Sequence, residues 1–200
     1  IFFIDGFNIY HSLDENKDFH KYKWLDLSRL CECFITKKDI IQDIYYFTAL
    51  AKWIPDKVKK HENYIKALFL RNIKIVYGEF KIKDRRCQAE CKQLYRSHEE
   101  KQSDVNVIAN LFQLAYEDKY DTAIIISGDS DLIPGIRAVK LTFPAKKIGV
   151  IFPRNRSSIQ LKEIADFHMK IKEIHLKESV FPPQIDLGDN KYLICPSAWQ

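Results

Sequence analysis

Two apolar runs of strand length end in acid. IFFI at residues 1–4 runs into Asp5, and AIIIS at 123–127 runs into Gly128, Asp129, Ser130 and Asp131. Open parallel sheets bind ligands beyond the carboxyl ends of their strands, so two distant segments aim carboxylates at one place. Asp104 supplies a third acid, in the first turn of a helix that Ser103 is expected to cap, close to the same edge if the preceding connection returns there. Two carboxylates about 4 Å apart repel by on the order of 4 kcal/mol at an effective dielectric of about 20, so a cluster of Asp5, Asp104, Asp129 and Asp131 requires protons or cations at neutral pH. All-oxygen ligation selects a hard ion, Mg²⁺ or Mn²⁺. Each acid taken singly has an ordinary structural role, in a turn or at a helix start. Convergence of all four is what favours a metal site.

The elements that must deliver these acids follow from the hydrophobic pattern. Strands are expected at 1–5, 40–49, 73–82, 122–127, 147–152 and 168–176, and helices at 25–34, 55–71, 103–118, 130–141 and 157–165. Residues 6–24 read as a loop leading to the first helix, and the charge-dense stretch 83–100 as a polar connection. Strands alternating with helices imply right-handed crossovers and a three-layer α/β domain with a mostly parallel central sheet. The runs at 1–4 and 123–126, unbroken by polar residues, are the expected central strands. The domain is expected to span 1–176. Residues 177–200, with Pro182, Pro183 and Pro196, read as a C-terminal tail or linker.

The 200 residues are 46% hydrophobic, enough for one sizeable core, and no apolar run approaches the roughly 20 residues that span a bilayer. Membrane-spanning roles are thereby excluded from the reading. The net charge of +5 hides a segregation: residues 52–86 and 137–177 carry +7 each, and the remainder is acidic. A basic rim around an acidic centre attracts a phosphate backbone and holds cations inside, although solvated lysine-rich helix faces would look the same. Five cysteines, at 31, 33, 87, 91 and 195, without a cleavable signal sequence, point to the reducing cytoplasm. The chain opens inside a strand-like run, and its one methionine is Met169, so the initiation codon is expected upstream.

Three segments carry a family resemblance. FIDGFNIY at 3–10, EEKQSDVNVIANLFQLAYED at 99–118 and AIIISGDSDLIPGIRAV at 123–139 resemble, in order, the signature segments of the NYN domain family, a LabA-like branch of the PIN-like nucleases. The resemblance covers about residues 1–176. It implies a PIN-like fold and a metal-dependent ribonuclease whose acidic cluster falls on Asp5, Asp104, Asp129 and Asp131. It also places Asn8 and Ser127 on motif positions that support those acids or touch phosphate. The implied mechanism is hydrolysis of RNA phosphodiesters by water activated on one or two divalent ions. Lys101, Arg137, Arg154 and Arg156 are expected to hold the RNA backbone, single-stranded or structured, against the alternative of solvated loop charges. Phe7 and Tyr10, next to a central strand, read as core aromatics rather than base-stacking groups.

A second metal site is suggested by Cys87, Cys91 and His98, spaced C-x3-C-x6-H, whose first pair fits structural Zn²⁺, with His61, Cys31 or Cys33 as a fourth ligand. The competing reading is a pair of free thiols on a loop. Two other functions compete with the ribonuclease: a non-catalytic RNA-binding or protein-interaction module on the same fold, and an aspartyl-nucleophile phosphatase. The phosphatase usually needs a second acid two residues after Asp5, where this chain has Phe7. A homo-oligomer is compatible with the sequence.

Overall fold

The computed structural model describes residues 1–87 and 91–200. In chain order its elements are β1 (Phe2–Asp5), α1 (Gly6–Asp14), α2 (Leu27–Glu32), β2 (Ile44–Thr48), α3 (Pro55–Phe69), β3 (Lys74–Tyr77), β4 (Glu79–Arg86), β5 (Leu94–Lys101), α4 (Ser103–Tyr116), β6 (Thr122–Ile126), α5 (Ile133–Thr142), β7 (Lys147–Phe152), α6 (Ile159–Ile164), β8 (Phe167–Lys170), α7 (Glu173–Glu178), β9 (Gln184–Asp186) and β10 (Tyr192–Ile194). Six strands form one sheet in the order β3-β2-β1-β6-β7-β8, with every pair parallel.

Side chains of the central strands alternate between two cores. Phe2, Ile4, Ile124 and Ile126 face α1, α2 and α3, where Ile9, Leu13, Leu27, Leu30 and Leu68 meet them. Phe3, Ala123 and Ile125 face α4, α5 and α6. Helix α4 docks through Val107, Leu111, Leu114 and Ala115, the one-sided spacing of an amphipathic helix. Each buried Phe, Ile or Leu contributes about 1.5–3 kcal/mol, which commits β1 and β6 to the middle of the sheet and fixes their register, Phe2 opposite Ile124 and Ile4 opposite Ile126. No helix among the described residues is long and apolar enough to cross a membrane.

The structure departs from the expected elements in three places. Residues 6–14 form α1 rather than a loop, because Asp5 caps it and Ile9 and Leu13, four residues apart, are buried. The polar connection is instead an antiparallel hairpin, β4 with β5, which follows Gly78 and projects outside the main sheet. Its strands are exposed and are matched by charge: Glu99 faces Lys83 and Arg85 across the pair, and Asp84 faces Arg96. The last strand stops at Lys170, and α7 takes up the rest of the segment expected to be extended. Residues after 177 fold back onto the domain. Leu193, Cys195 and Trp199 join the core on the α1–α3 side, and the Trp24 indole N–H donates to the Pro182 carbonyl at 2.9 Å.

Candidate active site

The parallel register of β1 and β6 brings the first acidic segment to the last one. With Ile4 opposite Ile126, Asp5 and Ser127 are next to each other at the carboxyl ends, and the Ser127 hydroxyl donates to Asp5 Oδ2 at 2.9 Å. Asp5 Oδ1 accepts the Asn8 amide at 3.0 Å, so the same carboxylate caps α1. The Asn8 side chain reaches across and accepts the Gly128 amide at 3.0 Å. Ser127 Oγ also accepts the Asp129 amide at 3.1 Å, and Asp129 Oδ1 accepts that of Asp131 at 2.9 Å. Asn8 and Ser127 thus tie the two acidic segments together and fix where their carboxylates stand.

Asp104 arrives from the hairpin side. Gln102 adopts a left-handed backbone conformation, φ 76°, which turns the chain out of β5 and into α4. The Ser103 amide then donates to Glu100 Oε1 at 3.2 Å. Asp5, Asp104 and Asp129 line one cavity of about 790 Å³ together with Glu100, and Asp131 stands exposed outside it. Burial pushes the Asp5 carboxyl up to about 6, against the stabilising amide of Asn8 and hydroxyl of Ser127, and the charges of Asp129 and Glu100 push the same way. Asp104 is likewise raised to about 6, by burial first and then by Asp129, Asp5, Glu100 and Asp131.

Among the described residues none of these five acids is in an ion pair, although the chain has 32 lysines and arginines. Nor do any three His, Cys, Asp or Glu side chains there converge tightly enough to ligate an ion as they stand. The donor set nevertheless fits a hard divalent cation: oxygen only, partly buried, mutually repelling and uncompensated by protein cations.

The basic residues singled out from sequence are placed unequally. Arg156 lines the cavity, packs against Gly128 and pairs with Glu15 at 2.6 Å through Nη2, while its buried Nε has no partner. Arg154 instead lies over the Phe19 ring at 4.1 Å, and Lys101 pairs with Glu99 on the exposed hairpin at 3.3 Å. Neither lines the cavity. Phe7 lines the cavity and belongs to neither core. Glu100 was not singled out from sequence. It lies at the end of the stretch 83–100 that reads as a polar connection, and only its place in β5, just before the turn at Gln102, brings it to the acids.

The thiol–imidazole site is not assembled. The Cys87 amide donates to the Gln93 carbonyl at the end of the hairpin, while His98 pairs in register with Ile82 and stacks on Trp53 at 3.7 Å. Five residues of extended strand separate Gln93 from His98, about 17 Å. His61 lies elsewhere, its Nε2 3.1 Å from Thr48 Oγ1, and Cys31 is buried in the core.

The comparisons bear on family and fold. The family model described as "NYN domain" matches residues 1–172. The chain is similar to 6-hydroxy-3-succinoylpyridine 3-monooxygenase HspA of Pseudomonas putida (strain DSM 28022 / S16), 26% identical over 194 residues, covering 78% of this chain and 61% of that protein. It thus spans about 61% of the length of that curated relative. Its fold is similar to the crystal structure of a protein of unknown function from Vibrio parahaemolyticus RIMD 2210633, with a TM-score of 0.56, 18% identity, and coverage of 90% of this chain and 94% of that one. A parallel six-stranded PIN-like sheet, with the three signature segments meeting at its carboxyl edge, carries the same assignment as the family match: the chain belongs to the NYN domain family, a nuclease-like domain.

Proposed function

We propose that this domain is a divalent-metal-dependent ribonuclease that hydrolyses RNA phosphodiester bonds. The observation that carries the reading is one cavity at the carboxyl edge of the sheet, lined by Asp5, Asp104 and Asp129 from three separate segments, none of them ion-paired. These three are the residues to hold Mg²⁺ or Mn²⁺, with Glu100 beside them and Asp131 at the margin. When bound, the cation supplies a lowered pKa for water and charge stabilisation for the leaving oxygen. Ser127 and Asn8 hold the carboxylates in place by the hydrogen bonds described above. Arg156, held by Glu15, places a guanidinium charge at the cavity wall, where a phosphate backbone would feel it. None of the five cysteines is in a disulfide, which supports the cytoplasm as its compartment.

The test is incubation of the purified protein with labelled RNA and DNA oligonucleotides, with and without Mn²⁺. Metal-dependent cleavage of RNA that Asp129→Asn abolishes is the expected result. Undiminished cleavage by that variant defeats the site, and RNA retention without turnover in either ion favours a binding module.

A second reading is favoured by the aromatic lining of the same cavity, where Phe7, Trp53 and Phe80 stand beside the acids. The similar Pseudomonas protein is named for a monooxygenase of a substituted pyridine. On this reading the wall holds a hydroxypyridine, and turnover places one atom of dioxygen in a new C–O bond of the ring and releases the other as water, with two electrons and two protons from an added reductant. Oxygen uptake that depends on the pyridine is the measurement that would favour it.

A further inference from the structure

We infer that the cavity holds an unpaired nucleobase stacked on Trp53, so that the substrate strand is single-stranded at the site of cleavage. The inference rests on the ribonuclease reading for the chemistry, but on separate residues for the binding.

Four rings form a wall beside the acids. Trp53 stacks on His98 with centroids 3.7 Å apart and planes 11° from parallel. Phe80 meets Trp53 edge-on at 4.7 Å, and Phe7 meets Phe80 edge-on at 5.6 Å. All four line the cavity that Asp5, Asp104 and Asp129 share. None belongs to either core, and Trp53 keeps 39% of its surface exposed. Core packing therefore does not account for them, and an amphipathic aromatic surface left open beside an acidic centre is a place for a flat ring.

The charges nearby fit the strand that would carry that ring. Lys57 and Lys60, from the first turns of α3, line the same cavity and form no ion pair among the described residues. Unpaired, both ammonium groups are open to a phosphate backbone. His61 lines the same cavity with its Nε2 engaged by Thr48 Oγ1 at 3.1 Å, which leaves Nδ1 as its nitrogen for a base edge. A base can use such a wall only if its face is free. In a duplex both faces are covered by neighbouring pairs, so the site selects loops, ends and single strands.

The experiment measures anisotropy of a short fluorescein-labelled single-stranded RNA with the full chain in EDTA, where no cleavage intervenes. Trp53→Ala is expected to weaken binding by about 5- to 100-fold, and Trp53→Phe to stay within about threefold of wild type. A blunt duplex of the same sequence should bind more weakly and ignore both substitutions. Equal affinity of wild type and Trp53→Ala for the single strand overturns the inference, as does a duplex bound as tightly as the strand. Tight binding of free 2-hydroxypyridine that the strand does not displace also overturns it. The two readings fail separately: Trp53-dependent binding with no Mn²⁺-dependent cleavage removes the ribonuclease and keeps the base site, whereas cleavage with Trp53-independent binding does the reverse.

Discussion

The two walls of the cavity are made by opposite means. The acidic wall stands mainly on the ends of β1 and β6, strands buried on both faces and cross-braced by Ser127 and Asn8, with Asp104 added from the first turn of α4 and Glu100 from β5. The aromatic wall stands on the loop before α3, on the hairpin outside the main sheet and, through Phe7, on the first turn of α1, held mainly by ring contacts. A charge cluster stores repulsion and needs a rigid frame, since a shift of an ångström or so in a carboxylate alters both its acidity and its reach. Stacked rings tolerate displacement, because the attraction spreads over an area. The difference teaches a division of labour: variants in the acidic wall should change turnover, and variants in the aromatic wall should change affinity.

The largest effect is expected from Asp129→Asn. Cleavage in Mn²⁺ should fall by more than the roughly 10- to 100-fold that changes to supporting residues cost, with RNA affinity in EDTA held or improved. A fall in affinity that matches the fall in rate would erase the distinction between the walls.

The acidic wall should also show itself in metal-free stability. Asp5 has a folded-state value of about 6, above the ordinary 3.8, so the native state binds the proton more tightly than the unfolded chain. That stabilisation is complete below about pH 4 and is lost as pH rises through 6, on the order of 3 kcal/mol for this buried group, with Asp104 acting in the same direction. Denaturant unfolding in EDTA at pH 5 and pH 7 should show it, and Asp5→Asn should flatten the slope. A wild-type stability that rises over this interval would contradict the strained-cluster picture.

Ser127→Ala is expected to lower cleavage by about 10- to 100-fold through misplacement of Asp5 and Asp129, restored in part by Ser127→Thr. The smallest effect belongs to Phe80→Ala, which removes one edge contact from Trp53. It should raise KM about fivefold, near 1 kcal/mol, more than it lowers kcat.

The acidic wall is more legible in the sequence than the aromatic one, for physical reasons. Strands buried on both faces must be apolar throughout, so the acids at their ends stand out, and Asp5, Asp129 and Asp131 are conspicuous from residue order alone. Asp104 shows through the helix start, although Ser103 does not cap it as expected: Gln102 takes the cap position in a left-handed conformation and the buried Ser103 hydroxyl has no partner. Helix α1 was hidden because Gly6, Asn8 and Ser12 are weak helix formers, and burial of Ile9 and Leu13 outweighs them. The hairpin was hidden because its strands bury little and are matched by charge rather than by alternating apolar residues. Misreading it as a loop gathered Cys87, Cys91 and His98 into one site. In the extended strand their spacing becomes distance, and it delivers His98 to Trp53 instead.

Gly128 sets a tolerance on the whole arrangement. A methyl group there would come within 2.7 Å of Arg156 Cβ and 3.3 Å of its backbone carbon. The guanidinium of the same Arg156 is fastened to Glu15, just past α1, so a shift of its backbone would pull on that pair. A chain carrying alanine at position 128 would have to choose between keeping its carboxylates aligned and keeping its arginine at the wall.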